Sequence, residues 1–177
     1  MCIRDGPTGV EALRLVAVDG DECAARDEIA TVAQVLRASG ARDVMQATTA
    51  EESEALWEAR RNLGPALARL SRDRLGEDIT VPRSRIPEMA SATQMIARKH
   101  DLTITLHGHI GDGNLHPGIL CDRRDAELMA RVELAAGELL AAAVALGGTV
   151  TGEHGIGPFQ RPYVALSLIH ISDPPRQ

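Results

Sequence analysis

The chain has 177 residues, a net charge of −6 from 19 basic and 25 acidic residues, and 44% hydrophobic but only 2% aromatic residues. That length fits one domain with a Leu, Val, Ile and Ala core that needs no disulfide or metal staple. The acidic balance, without a basic block, argues against nucleic acid as a partner, because neutralising phosphates takes clustered Lys and Arg. Cys2, Cys23 and Cys121 are odd in number and widely spaced, which fits a reducing compartment. No signal peptide and no bilayer-length apolar run is read, so the expected location is cytoplasmic.

In chain order, residues 13–18 (LRLVAV) predict a strand. Residues 21–38, with Ile29, Val32, Ala33, Val35 and Leu36 on one face, predict an amphipathic helix closed by Gly40. A second strand is expected over 43–48. Thr49 with Glu52 forms a capping box that opens a helix through Trp57 and Leu63, breaking at Gly64-Pro65 and resuming to Leu75. Residues 78–81 predict a strand closing at Pro82, and Ile86-Pro87 starts a helix to about His100. A β-branched strand over 102–107, a return strand over 115–120 and a long helix over 124–146, stopped by Gly147-Gly148, follow. A short strand over 149–151 completes the pattern. Helices among strands with an antiparallel return point to an α+β layer.

Two glycine-punctuated runs hold the chemistry: HGHIGDGNLHP over 107–117 and TGEHGIG over 151–157. Imidazole and carboxylate bind divalent metals or move protons near neutral pH, and glycine lets backbone approach a ligand closely. His107 and His109 share a strand face. The Asp112-Gly113-Asn114 turn folds Leu115-His116 back beside His109, so two imidazoles meet across neighbouring strands. Zn²⁺ or Mn²⁺ held by His109, His116 and one carboxylate, with a position open, is a catalytic arrangement. Glu153 is the expected third ligand, since it also follows a short strand into a glycine turn. His154 is then free as a base or a substrate hydrogen bonder.

These residue types leave plainer readings open. The glycines serve equally as hairpin and helix-capping devices. His100 and His107 read as solvated or hydrogen-bonded side chains. Arg60-Arg61, like Arg83 and Arg85, is either a solvated pair or a carboxylate clamp. The glycine spacing matches neither a Walker loop nor a dinucleotide fingerprint.

Taken in order, WEARR (57–61), DITVPRSRIPE (78–88), GHIGDGNLHP (108–117) and GGTVTGEHGIG (147–157) resemble a known family. It is the C-terminal part of FAD-linked oxidases of the vanillyl-alcohol-oxidase superfamily, in the branch of glycolate oxidase flavoprotein subunits, D-lactate dehydrogenases and D-2-hydroxyglutarate dehydrogenases. The resemblance covers about residues 10–165. It implies a ferredoxin-like cap domain, an antiparallel sheet covered by helices, packed over flavin held by an FAD-binding domain of the same full-length chain. It also implies that His109, His116 and Glu153 hold a zinc-like ion that binds the 2-hydroxyl and carboxylate of a small 2-hydroxy acid. By the same resemblance His154 takes the hydroxyl proton while hydride passes to flavin, and Arg60 pairs with a substrate carboxylate. Asn114 also contacts substrate, and Gly155 and Gly157 lie at the cofactor. Electrons then leave FAD for a quinone, an iron–sulfur partner or another acceptor, which adds a peripheral place at the inner face of the membrane as an expectation.

The pattern departs from the family in places. The FAD-binding domain and its glycine-rich loop are absent from this chain. Some dicarboxylate-specific members carry polar residues where Gly64, Gly76 and Gly118 stand, so glycine there favours glycolate or D-lactate. Residues 1–9 and 166–177, with MCIRD and SLIHISDPPRQ in them, read as a non-native or linker head and a non-native tail around a 10–165 domain. The expected function is a fragment of an FAD-dependent 2-hydroxyacid dehydrogenase that makes a 2-oxo acid. The alternatives are a stand-alone metal-binding module without redox activity and a metal-dependent hydrolase.

Overall fold

The computed structural model describes residues 12–157, 160, 161, 163 and 164, and the chain divides into two units, Met1–Ala66 and Leu67–Gln177. The expected head (1–9) and tail (166–177) lie outside the described residues, as does Pro158-Phe159.

In the first unit, α1 spans Glu22–Ala38 and α2 spans Ala50–Arg61. The Asp21 carboxylate accepts from the backbone N–H groups of Cys23 and Ala24, each at 3.1 Å. This satisfies amides at the start of α1 that have no partner within the helix. The Thr49–Glu52 capping box forms as expected. The helix ends at Arg61 with Asn62 as its cap, just before the expected break, and Pro65 falls in the first turn of α3 (Leu63–Leu67). There its missing N–H has no intrahelical partner to lose. The strands expected over 13–18 and 43–48 do not form. A strand needs a neighbour's backbone groups, and neither segment finds a ladder among the described residues. Leu13 and Met45 stay 82% and 73% exposed.

The second unit is built on β4 (Asn114–Cys121), the central strand of an antiparallel sheet. β3 (Ile104–His109) pairs along one edge, with His107 opposite His116 and His109 opposite Asn114. Along the other edge run β1 (Asp73–Gly76) and β2 (Ile79–Thr80). Gly76 faces Gly118 and Ile79 faces Leu115, so β1 and β2 are one line of backbone in a single register, interrupted at Glu77-Asp78. The interruption has a cause: Pro117 has no N–H to give, and only the bond from the Glu77 N–H to the Pro117 carbonyl, 2.8 Å, remains there. The helix expected to resume as far as Leu75 does so only over α3, ending at Leu67, and from Asp73 the chain is β1, whose Leu75 lies opposite the buried Ile119. The strand expected over 149–151 is reduced to a single bridge between Thr80 and Thr149.

α4 (Ile86–Lys99), entered through a 3₁₀ turn at Arg83–Arg85, and α5 (Ala126–Ala145) supply the rest of the core. Met89 and Ile96 of α4 join Val132, Ala135, Leu139 and Leu140 of α5. The sheet contributes Ile79, Leu115, Ile119 and Cys121 to the same cluster. Burying each large aliphatic side chain is worth roughly 1.5–3 kcal/mol. Side chains alternate across a strand, so Asn114, His116 and Gly118 point to the opposite face. That face carries the motifs. Among the described residues no helix is long and apolar enough to cross a membrane.

Candidate functional site

Two rows of side chains cross this second face. The common register of β1 and β2 sets Asp78 opposite His116, and His116 is opposite His107 on β3. One step along, Thr80 pairs with Asn114, and Asn114 with His109. The sequence reading set His116 beside His109. The register instead makes His107 its direct partner, ring centroids 5.4 Å apart, and His109 a diagonal neighbour at 5.5 Å. Diagonal positions on adjacent strands remain within side-chain reach.

The turn between β3 and β4 depends on Gly113. Its φ of +85° is unfavourable for other residues, and a Cβ there would strike the Val81 carbonyl. The Asp112 carboxylate accepts from the Asn114 N–H at 3.0 Å, an Asx turn that starts β4.

The second motif arrives from the Thr149 bridge and is held by Asp78. One oxygen, Oδ2, accepts from the N–H groups of Gly152, Glu153 and His154, each at 2.8 Å, and from the Thr151 hydroxyl at 3.1 Å. Burial alone would raise this carboxyl, but the four donors together hold it below the usual carboxylate range. Gly152 fits because a Cβ there would lie 2.5 Å from Thr80 Oγ1 and 2.7 Å from Asn114 Cγ. Glu77 holds the far end of the loop: its carboxylate accepts from Gln160 Nε2 at 3.0 Å, and Gln160 Oε1 accepts from the Gly157 N–H at 2.7 Å.

So pinned, the loop brings Glu153 over the strand histidines. Glu153 Oε1 is 3.6 Å from His109 Nε2 and its Oε2 is 3.9 Å from His116 Nε2. One ligand atom from each of His109, His116 and Glu153 lies within 4.8 Å of the others, the trio expected from the residues. A second trio, Asp78, His116 and His154, meets the same limit. Both cannot be used at once with full effect, because they share His116. In the first, the side chains of His109 and Glu153 are each 47% exposed and open to a substrate, while Asp78 is 1% exposed and already accepts four hydrogen bonds. The His154 ring stacks on His116 with centroids 5.1 Å apart and planes 15° off parallel. Burial pushes His116 below the ordinary imidazole range, against the pull of Asp78 and Glu153. A nitrogen that stays unprotonated is what a metal ligand requires.

Asn114 is 3% exposed and neither atom of its amide has a hydrogen-bond partner. A buried orphan amide is costly unless something else satisfies it. Gly155, with φ +74°, follows His154 in an exposed stretch, and Gly157 is half-buried. Arg60 belongs to the first unit, on the exposed last turn of α2. Arg61 pairs with Glu54, whereas Arg60 makes no ion pair among the described residues. Arg85 pairs with Glu88 at 2.7 Å, a structural use. His100 is likewise spent, on Glu138 at 3.0 Å. The residue that sequence reasoning missed is Asp78. The available signal was an acid opening a β-branched run, two positions before Thr80 and so on the same strand face.

Comparisons with known proteins agree on one group. The family described as FAD linked oxidases, C-terminal domain, matches residues 3–168. The glycolate oxidase subunit GlcD of Bacillus subtilis is 43% identical over 162 residues, covering 92% of this chain and 34% of that protein. The Escherichia coli K12 subunit of the same name is 36% identical over 151 residues, 85% of this chain and 30% of its own length. A D-lactate dehydrogenase of Anaerostipes hadrus is 32% identical over 166 residues, 91% of this chain and 34% of that protein. The chain thus spans about a third of the length of these relatives.

Proposed function

The chain belongs to the family of FAD-linked oxidase C-terminal domains, and from that premise we propose that its histidine face binds a small 2-hydroxy acid. The acid is oxidised to a 2-oxo acid by FAD held mainly in a separate FAD-binding domain. The observation that carries this reading is the meeting of His109, His116 and Glu153 beside His154 and the unpaired Asn114 amide.

Two imidazole nitrogens and a carboxylate oxygen are a donor set that suits Zn²⁺ or Mn²⁺ with positions left over for substrate. When bound, such an ion supplies polarisation that lowers the pKa of a hydroxyl it meets. His109, His116 and Glu153 are the residues we assign to it. FAD, when bound, supplies the hydride acceptor, with Gly155 and Gly157 assigned to its approach. The protein's own contribution is positional and acid–base. The exposed imidazole of His154 takes the hydroxyl proton as general base. Asn114 turns its unpaired amide to the substrate, and the planar fork of Arg60 pairs with a carboxylate.

Gly118 offers no polar side chain to a second substrate carboxylate. A Cβ there would lie 2.8 Å from Arg74 Cδ and 2.9 Å from Thr105 Oγ1, so a larger residue would have to displace the Arg74 and Thr105 side chains. Together with relatives named for glycolate and D-lactate, this favours a small monocarboxylic hydroxy acid. A quinone or iron–sulfur partner is the proposed acceptor of the two electrons.

The test joins this domain to an FAD-binding domain and follows oxidation of glycolate and D-lactate with a dye acceptor. Turnover should appear and should fall roughly 10²–10⁴-fold in His154→Ala, the range for loss of a general base. A flavin-loaded protein that oxidises neither acid, or oxidises them unchanged in His154→Ala, would overturn the reading.

A further inference from the structure

We propose that Asp78 is the positioning residue of this site, holding the Glu153-His154 loop with one oxygen and setting the ring of His116 with the other. The inference rests on the metal reading of His109, His116 and Glu153 for its purpose, but its geometry stands independently.

Asp78 Oδ2 is fully engaged by Thr151, Gly152, Glu153 and His154. Its other oxygen, Oδ1, has no hydrogen bond, and neither has His116 Nδ1; the two buried atoms are 3.5 Å apart. A carboxylate can only accept, so the arrangement is satisfied when His116 carries its proton on Nδ1, directed at Asp78. Nε2 is then the bare nitrogen, and Nε2 is the atom that faces Glu153. A carboxylate behind a ligating histidine fixes its tautomer and orientation and raises its basicity as a ligand. The same carboxylate holds the loop that delivers the third ligand and the base, so one side chain sets both halves of the site. Position 78 can do this because the ladder is interrupted there. With Pro117 lacking an N–H, β1 and β2 separate at Glu77-Asp78, directly across from His116.

Asp78→Asn separates the two tasks. Asn keeps an oxygen that can accept from the loop, but it turns an NH₂ donor toward His116 Nδ1. That favours the opposite tautomer, with the proton on Nε2. Nitrogen-15 NMR of the imidazole ring in the metal-free chain at pH 8 should show His116 protonated on Nδ1 in the parent and on Nε2 in Asp78→Asn. Co²⁺ affinity, read from the visible absorption of the bound ion, should fall about 10–100-fold, the usual cost of losing such a partner. Amide exchange of residues 152–154 should change little in Asp78→Asn and rise at least tenfold in Asp78→Ala. If Asp78→Ala does not fold, the Asn variant decides alone. His116 protonated on Nε2 in the parent, or the same tautomer in both chains, overturns the proposal. A parent chain that binds no Co²⁺, or binds it unchanged in His109→Ala, overturns the metal reading instead. The ring measurement then still decides the role of Asp78.

Discussion

The ring of His154 lies nearly parallel to that of His116, centroids 5.1 Å apart and planes 15° off, yet the two imidazoles sit in different surroundings. His116 is buried between strands, and its Nε2 looks toward Glu153. His154 is exposed at the start of the glycine stretch. Substitution should therefore divide their effects. His116→Ala is expected to lower Zn²⁺ or Co²⁺ affinity by two orders of magnitude or more and to take turnover with it. His154→Ala should leave metal affinity within about threefold while turnover collapses. Parallel metal titrations and steady-state assays on both variants check this. Equal loss of metal in the two would make His154 a ligand rather than a base.

Glu77 gives the fold a pH dependence. Burial pushes its carboxyl from 4.5 up to about 7, opposed by the Gln160 amide and reinforced by the Asp78 charge. The folded chain then keeps a proton between pH 4.5 and 7 that the unfolded chain gives up. The stability Glu77 contributes is full below about 4.5, declines as pH rises and is gone above about 7. Glu77→Gln, which cannot ionise, should match the parent at pH 5 and exceed it at pH 8 by on the order of 2–3 kcal/mol. Urea unfolding of both chains at the two pH values measures the difference. A constant gap across that range would mean that Glu77 does not titrate with folding.

Local rules account for what could be read without coordinates. The capping box at Thr49, the proline entry of α4 and the Asp-Gly turn all sit where residue chemistry requires them, because each depends on neighbours within four residues. The misreadings depend on partners far along the chain. Residues 13–18 and 43–48 read as strands, but a local run cannot supply a paired edge. Residues 73–76 look like helix remnant until Leu75 meets Ile119, 44 positions on. The same limit hid the role of Asp78. Its partners are the N–H groups of residues 152–154, which carry no mark in the sequence of what they will bond.

Arg60 tests whether the resemblance carries a function that geometry alone does not supply. It makes no ion pair among the described residues, while neighbouring Arg61 is committed to Glu54. A hydrogen bond to a charged group is worth roughly 1.5–3 kcal/mol. Arg60→Ala should accordingly raise KM for the hydroxy acid about 10–100-fold, with flavin content unchanged. Arg61→Ala should change KM less than threefold. Unchanged kinetics in Arg60→Ala would place that residue on a solvated helix face.

The glycines of the first motif are not equivalent, and the difference is measurable. Gly111 has nothing within 4 Å of where a Cβ would stand and no positive φ. Alanine there removes freedom mainly from the unfolded chain, so Gly111→Ala should be neutral, or stabilising by up to about 1 kcal/mol. Gly113 combines φ +85° with a Cβ position against the Val81 carbonyl. That carbonyl belongs to a backbone already tied to the turn, since the Val81 N–H donates to the Gly113 carbonyl at 3.0 Å. Neither side can yield without parting the β3–β4 turn from the end of β2. Gly113→Ala should therefore cost about 2 kcal/mol or more. It should also weaken Co²⁺ binding, because the turn sets the register that opposes Asn114 to His109. Denaturant midpoints of the two variants give the comparison. Equal midpoints would show that the turn tolerates a side chain at position 113 and that its register is held elsewhere.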